Sequence, residues 1–419
     1  MRRCLAALLA AAASAAAAAT GTPSAEAAAA AARLHVVEPE ALGAGNLALI
    51  VNDADPDSVA AAGYYAAQRR IAPANVLHVR FARAATLDLE EFRRVKEEVD
   101  ARMGPSIQLL ALAWTLPYRV GCMSVTSAFA LGFDPAWCAE GCHPTRRSPY
   151  FDSSSRAPWN DLGLRPAMLL AGSSVEAVRH LVDRGVGADA TWPEGTGYLL
   201  STSDVKRNVR AATYPAIEQR LGNAYALRTL QADHLEHRSD VMFYFTGVQR
   251  VEGMGTNRFL DGAVADHLTS FGGVLDGTSQ TTVLDWLDAG ATGSYGTVVE
   301  PCAFVGKFPH AGVVIEHYLA GETLVEAYWK SVLMPGQGLF AGDPLARPFG
   351  RMRIVVVAGG QLRLVTRFLA KGGYVVQLAN APMGPYRTVG AWTQATNGMA
   401  QVPLPSGAKG YVRLVAERP

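Results

Sequence analysis

The chain has 419 residues, a formal net charge of +1 and 49% hydrophobic residues. That is ample for one large core and a smaller module. Near-neutral net charge argues against nucleic acid as the main partner.

Residues 1–33 read as a signal peptide and linker. Arg2-Arg3 is followed by an apolar Ala/Leu run from Leu5 to Ala19 and then by small residues that offer A-x-A-like cleavage sites. The run is short for a membrane span, and no later segment approaches spanning length. The expectation is a secreted or periplasmic protein with no transmembrane segment after signal removal, its partner an unknown ligand or envelope component.

From residue 34 the pattern is α/β. Asn46 to Val51 is a continuous apolar run, as in a strand buried on both faces. Asp55-Pro56 then supplies an N-cap and a proline at the first helical position, and the helix runs to Arg70. Val76 to Phe81 completes a βαβ unit, which implies a parallel pair with a right-handed crossover. Asp88 and Glu91 cap a second helix whose stripe is Leu89, Phe92, Val95, Val99 and Met103. Ile107 to Trp114 is the next strand and leads into Leu116-Pro117-Tyr118-Arg119.

The pattern breaks at about 121–165, an irregular stretch with three cysteines, read as an insertion over the edge or site of the sheet. Without Cys4 the mature chain keeps Cys122, Cys138, Cys142 and Cys302, an even number that favours disulfides in an oxidising compartment. Three pairings are open. The expected one is Cys138–Cys142 with Cys122–Cys302, because Cys122 and Cys302 each follow a predicted core strand.

A strand at Met168 to Leu170 precedes a helix with Ser173 and Glu176 spaced as a capping box. Gly197 to Ser201, Tyr225 to Leu230 and Val241 to Phe245 are further strands, and Lys206, Arg207 and Arg210 form a basic patch between the first two. Gly262 to Pro301 then reads as a strand ending in Asp266-His267, a short helix and a second strand ending in Glu300-Pro301-Cys302. Thr323-x-x-Glu326 caps the last helix, and GQGLFAGDPLARPF (336–349) closes the domain with turn-rich chemistry. From about residue 351 to 419, strands alternate with Gly-Gly, Pro-Met-Gly-Pro and Asn-Gly turns, which predicts a small β-sandwich-like module.

The segments NDADPDSVAAAGYYAAQRR, LPYRV, DGAVADHLTSFGG, GATGSYGTVVEPC, KFPHAGVV, EAYWKSV and GDPLARPF resemble an uncharacterised family of secreted bacterial proteins over residues 46–350. More distantly, the order of elements resembles the caspase–gingipain fold of cysteine peptidases. That resemblance implies a mostly parallel open sheet flanked by helices, one strand ending in His-Gly and the next in the nucleophilic cysteine. Here Thr246-Gly247 and Asp266-His267 stand at those strand ends, so neither catalytic residue type is kept.

Polar residues at strand carboxyl ends are where open α/β sheets build sites. The candidates are therefore His267 as base, with Asp266 or Glu300 orienting it, and Arg119, Asp53, Thr246 and Ser270 as ligand-binding residues. Asp53, Asp266 and Glu300 sharing one crevice with His267 would suit a divalent cation; no other cofactor is evident. A Ser270–His267–Asp266 triad is disfavoured because adjacent strand residues point to opposite faces. The expected function is a non-peptidase binding or envelope-associated role, with an extracytoplasmic hydrolase using His267 as the alternative.

Overall fold

The computed structural model describes residues 25–38, 41–139, 142–350 and 352–417. The expected signal sequence lies, up to residue 24, outside the described residues.

Among the described residues, ten strands form the main sheet. They are β1 (Leu47–Asn52), β2 (Val76–Val79), β3 (Leu109–Leu112), β4 (Ala167–Leu169), β5 (Thr196–Ser201), β6 (Ala226–Gln231), β7 (Val241–Thr246), β8 (Phe259–His267), β9 (Gly293–Thr297) and β10 (Gly338–Gly342). Their order across the sheet is β6-β5-β7-β8-β9-β10-β4-β3-β1-β2. The one antiparallel pairing joins β9 to β10, with Tyr295 opposite Phe340, and β10 meets β4 at Ala341 and Leu169. Loops that follow strands in the two halves of the sheet converge on one edge. Tyr118 Oη, beyond β3, donates to the Asp276 carboxylate, beyond β8, across 2.7 Å.

Helices cover both faces, which is why β1, β7 and β10 are buried throughout. Helix α1 (Pro56–Arg69) begins as its sequence dictates, with the Asp55 carboxylate accepting from the Asp57 N–H. In α2 (Leu89–Asp100), Asp88 accepts from Glu90 and Glu91, and Phe92, Val95 and Val99 face the core. Helix α3 (Val175–Ala188) is capped by Ser174 rather than Ser173. Helices α4 (Val283–Asp288), α5 (Ala311–Leu319) and α6 (Leu324–Ser331) add to the layers, α6 with the Thr323/Glu326 capping box, beside further helices at Val125–Leu131 and Tyr214–Leu221.

Two departures from the sequence reading matter. The segment read as turn-rich around Gly336 contains β10, a buried strand in the middle of the sheet. Its glycines are there for close approach: a Cβ on Gly338 would lie 2.0 Å from Tyr295 Oη, and one on Gly342 would lie 2.5 Å from the Thr292 carbonyl. Packing, which local propensity does not register, makes it a strand.

The second departure concerns the termini. Residues 353–416 form strands and turns with one short 3-10 segment at Ala358–Gly360, in two sheets around their own core of Leu364, Val376, Val402 and Val412. Leu34–Val36 lies parallel to Gly410–Ala416 and Leu34 joins that core. The segment at the expected start of the α/β domain thus pairs with a strand near the C-terminal end.

Candidate functional site

At the end of β8 the chain turns two chemistries to opposite faces, as strand alternation requires. Asp266 faces the side of Arg210, whose Nη1 donates to Asp266 Oδ1 at 2.7 Å and whose Nη2 donates to the Thr246 carbonyl at 2.8 Å. Both side chains of this ion pair are almost wholly buried. Burial raises the Asp266 carboxyl, and the guanidinium opposes that rise.

His267 faces α4. Trp286 Nε1 donates to His267 Nδ1 at 3.0 Å. Indole nitrogen is a donor only, so Nδ1 accepts and the proton of the neutral ring resides on Nε2. The ring is 1% exposed. Burial pushes its pKa down to about 3, with the charge of Arg210 adding to the effect. Thr246, beside His267 in the register, is buried with its hydroxyl unpartnered among the described residues.

The backbone above Thr246 is covered. A Cβ on Gly247 would lie 2.1 Å from the Arg207 carbonyl, and Thr202 Oγ1 donates to the Gly247 carbonyl at 2.7 Å. The basic segment after β5 therefore sits directly on the end of β7. Its Arg207 is held by Asp204 at 2.9 Å and reaches Thr269 Oγ1 at 3.3 Å.

What remains open at this edge is a cavity of about 410 Å³, with Lys206, Arg207 and Val209 on one side, Thr269 and Ser270 on a second, and Glu300 to Ala303 with Phe308 on the third. Glu300 Oε1 accepts from the Cys302 N–H at 2.7 Å, which fixes the third wall. Lys307, next to Phe308, is buried with Nζ unpartnered among the described residues. Burial lowers its pKa, opposed by Glu300. The sequence reading passed over Lys307, and a lone lysine in a turn offers no signal of burial.

The expected constellation separates into four places. Ser270 and Glu300 line the cavity, while Thr246, Asp266 and His267 lie beneath it, buried. Arg119 sits in a small sheet of Thr86–Leu87, Arg119–Val120 and Met123–Ser124, its Nε donating to Thr86 Oγ1 at 2.8 Å. Asp53 is 2.7 Å from His78 Nδ1 on the exposed rim beyond β1. Arg119 pairs with neither Asp266 nor Glu300. The four groups expected around a divalent cation do not converge, and among the described residues no cluster of three or more His, Cys, Asp or Glu could hold a metal.

The disulfides correct the expected pairing. Cys122 is bonded to Cys138 and Cys142 to Cys302, with Cα separations of 5.8 and 5.1 Å. Cys122 does not follow a main-sheet strand. It lies in the turn between Arg119–Val120 and Met123–Ser124, facing the insertion's own turn at Pro135–Trp137, while Cys142 ties the insertion to the cavity wall.

No family model matches the chain, and no curated protein matches it. Among solved structures, a protease aligns at 10% identity with a TM-score of 0.44, covering 87% of this chain and 98% of its own. The Arg-specific cysteine proteinase gingipain R (RGPB) aligns at 10% identity and a TM-score of 0.41, covering 91% and 99%. The complex of Porphyromonas gingivalis RgpB pro- and mature domains aligns at 10% and 0.42, covering 89% and 100%.

Proposed function

We propose that this protein is a secreted, non-peptidase relative of the caspase–gingipain fold that binds a ligand in the crevice at the carboxyl ends of β7, β8 and β9. The observation that carries the reading is the state of His267. An imidazole that is buried, neutral and already accepting from Trp286 has no exposed nitrogen with which to take a proton from a nucleophile. Asp266, the residue that would orient it, is bound to Arg210 on the other face of the strand. Cys302, which lines the cavity, is in a disulfide with Cys142, and a disulfide sulfur is not a thiolate.

The open surface above these residues is suited to binding. Lys206 is exposed and makes no ion pair among the described residues, and Val205 beside it is 84% exposed. Together with Arg207 they offer charge and apolar contact to an acidic peptide segment of an envelope or extracellular partner. Two disulfides fit an oxidising compartment, and no described helix is long and apolar enough to cross a membrane.

The test is a peptide panel read two ways, by mass spectrometry for cleavage and by fluorescence anisotropy for binding. The expected result is no cleavage, binding of acidic peptides, and about tenfold or greater weakening in Lys206→Glu/Arg207→Glu. Cleavage that disappears in His267→Ala would overturn the reading in favour of a hydrolase.

A further inference from the structure

A second cavity lies at the same edge, on the other half of the sheet, and none of the residues discussed for the first one lines it. Its place follows from strand order. The chain runs from β1 outward to β2 and then returns to the opposite side of β1 for β3. The carboxyl ends of β1 and β3 therefore flank a topological switch point, where connections leave toward opposite faces and a crevice is left between them. Asp55, Asp57 and Ser58 enter it from the β1 side, Trp114 to Leu116 from β3, Gly172 to Ser174 from β4, and Leu275 and Leu284 close it from the segment after β8. The cavity is about 350 Å³, the size of a small-molecule site.

Its charges are unusual. The Asp55 side chain is 4% exposed. Its Oδ1 accepts from the Asp57 N–H at 3.1 Å, but its Oδ2 has no hydrogen bond among the described residues. The nearest cation, Arg83 Nε, is 3.6 Å away, and Arg83 Nη2 is 3.8 Å from Asp57 Oδ2. Both separations are too long for hydrogen bonds. A carboxylate and a guanidinium thus stand side by side in a cavity that also presents Trp114, Leu116, Leu275 and Leu284, each charged group with unused bonding capacity.

We propose that this cavity binds a small zwitterion with an apolar side chain, an apolar α-amino acid or short peptide. The ligand's ammonium would donate to Asp55 Oδ2 and Asp57. Its carboxylate would accept from Arg83 and from the N–H groups that open α3, and its side chain would lie against Leu116, Leu275 and Leu284. A simple anion would face two carboxylates, a simple cation would leave Arg83 unmet, and an apolar molecule would leave both Asp55 Oδ2 and Arg83 unmet. Only a ligand carrying both charges meets both groups.

The test is calorimetric titration of the full chain with leucine, phenylalanine and Leu-Leu, beside N-acetyl-leucine and leucinamide, which each lack one charge. Zwitterion binding is expected, with each blocked analogue weaker by about tenfold or more. Arg83→Ala and Asp57→Asn, both at exposed side chains, should weaken leucine by a similar factor with melting temperature unchanged in the absence of ligand. If no zwitterion binds at millimolar concentration, if blocked analogues bind as well as leucine, or if both folded variants bind like the wild type, the proposal is wrong.

Discussion

Trp286 Nε1 and His267 Nδ1 are joined by a 3.0 Å hydrogen bond in the interior beneath the strand ends. This contact gives the histidine a packing role and sets its tautomer. It has a consequence for stability. A folded-state pKa of about 3 lies below the unfolded value near 6.5. Unfolding therefore takes up a proton below about pH 6.5, and stability falls as pH drops toward 3. From about pH 7.5 to about pH 5 the loss from this residue is about 2 kcal/mol. His267→Gln keeps an acceptor for Trp286 and removes the titration. Urea midpoints across this range should fall less steeply in the variant, and equal slopes would show that His267 titrates normally.

The buried Arg210–Asp266 pair makes an asymmetric prediction. Arg210→Met leaves an unpaired carboxylate in the core and should cost about 3–5 kcal/mol, whereas Arg210→Met with Asp266→Leu should recover much of that. Chemical denaturation of the single and double variants measures both. A double variant no more stable than the single would mean that the polar contacts to Thr246 and Pro309 outweigh the ion pair.

Gly247 is required by the Arg207 carbonyl that packs on it. Gly247→Ala should destabilise by about 1–3 kcal/mol through overpacking and push the 204–210 segment away from the cavity. Hydrogen exchange would report faster exchange confined to that segment, and unchanged exchange would refute the packing account.

The two disulfides should differ in weight. Cys142–Cys302 closes a loop of sequence separation 160 and Cys122–Cys138 one of 16, so chain entropy favours the former by about 2 kcal/mol. Cys142→Ser with Cys302→Ser should lower the denaturation midpoint more than Cys122→Ser with Cys138→Ser. Peptide mapping without reduction checks the pairing itself: a Cys138–Cys142 fragment would contradict the structure.

Much of the molecule is legible in its sequence because the signals are local. The Asp55-Pro56 helix start, the Asp88 cap, the Thr323/Glu326 box and the apolar runs of β1 and β7 each act within a few residues and fold as read. Placing functional candidates at strand carboxyl ends was also a local inference, and it brought Ser270 and Glu300 to an open cavity.

What tertiary structure alone decided is which polar residue is solvated and which is enclosed. His267 and Asp266 look like chemistry in the sequence, but α4 brings Trp286 to one face of β8 and the segment after β5 brings Arg210 to the other. Strand order likewise separates Arg119 and Asp53 from Glu300, and sets Leu34–Val36 beside Gly410–Ala416. It also makes a strand of the glycine-rich run at Gly338–Gly342. These outcomes depend on partners distant in sequence, from Trp286 and His267, 19 residues apart, to Leu34 and Gly410 at opposite ends of the chain. Periodicity and capping encode the conformation of a segment; solvation, ion pairing and disulfide choice arise only when distant segments meet.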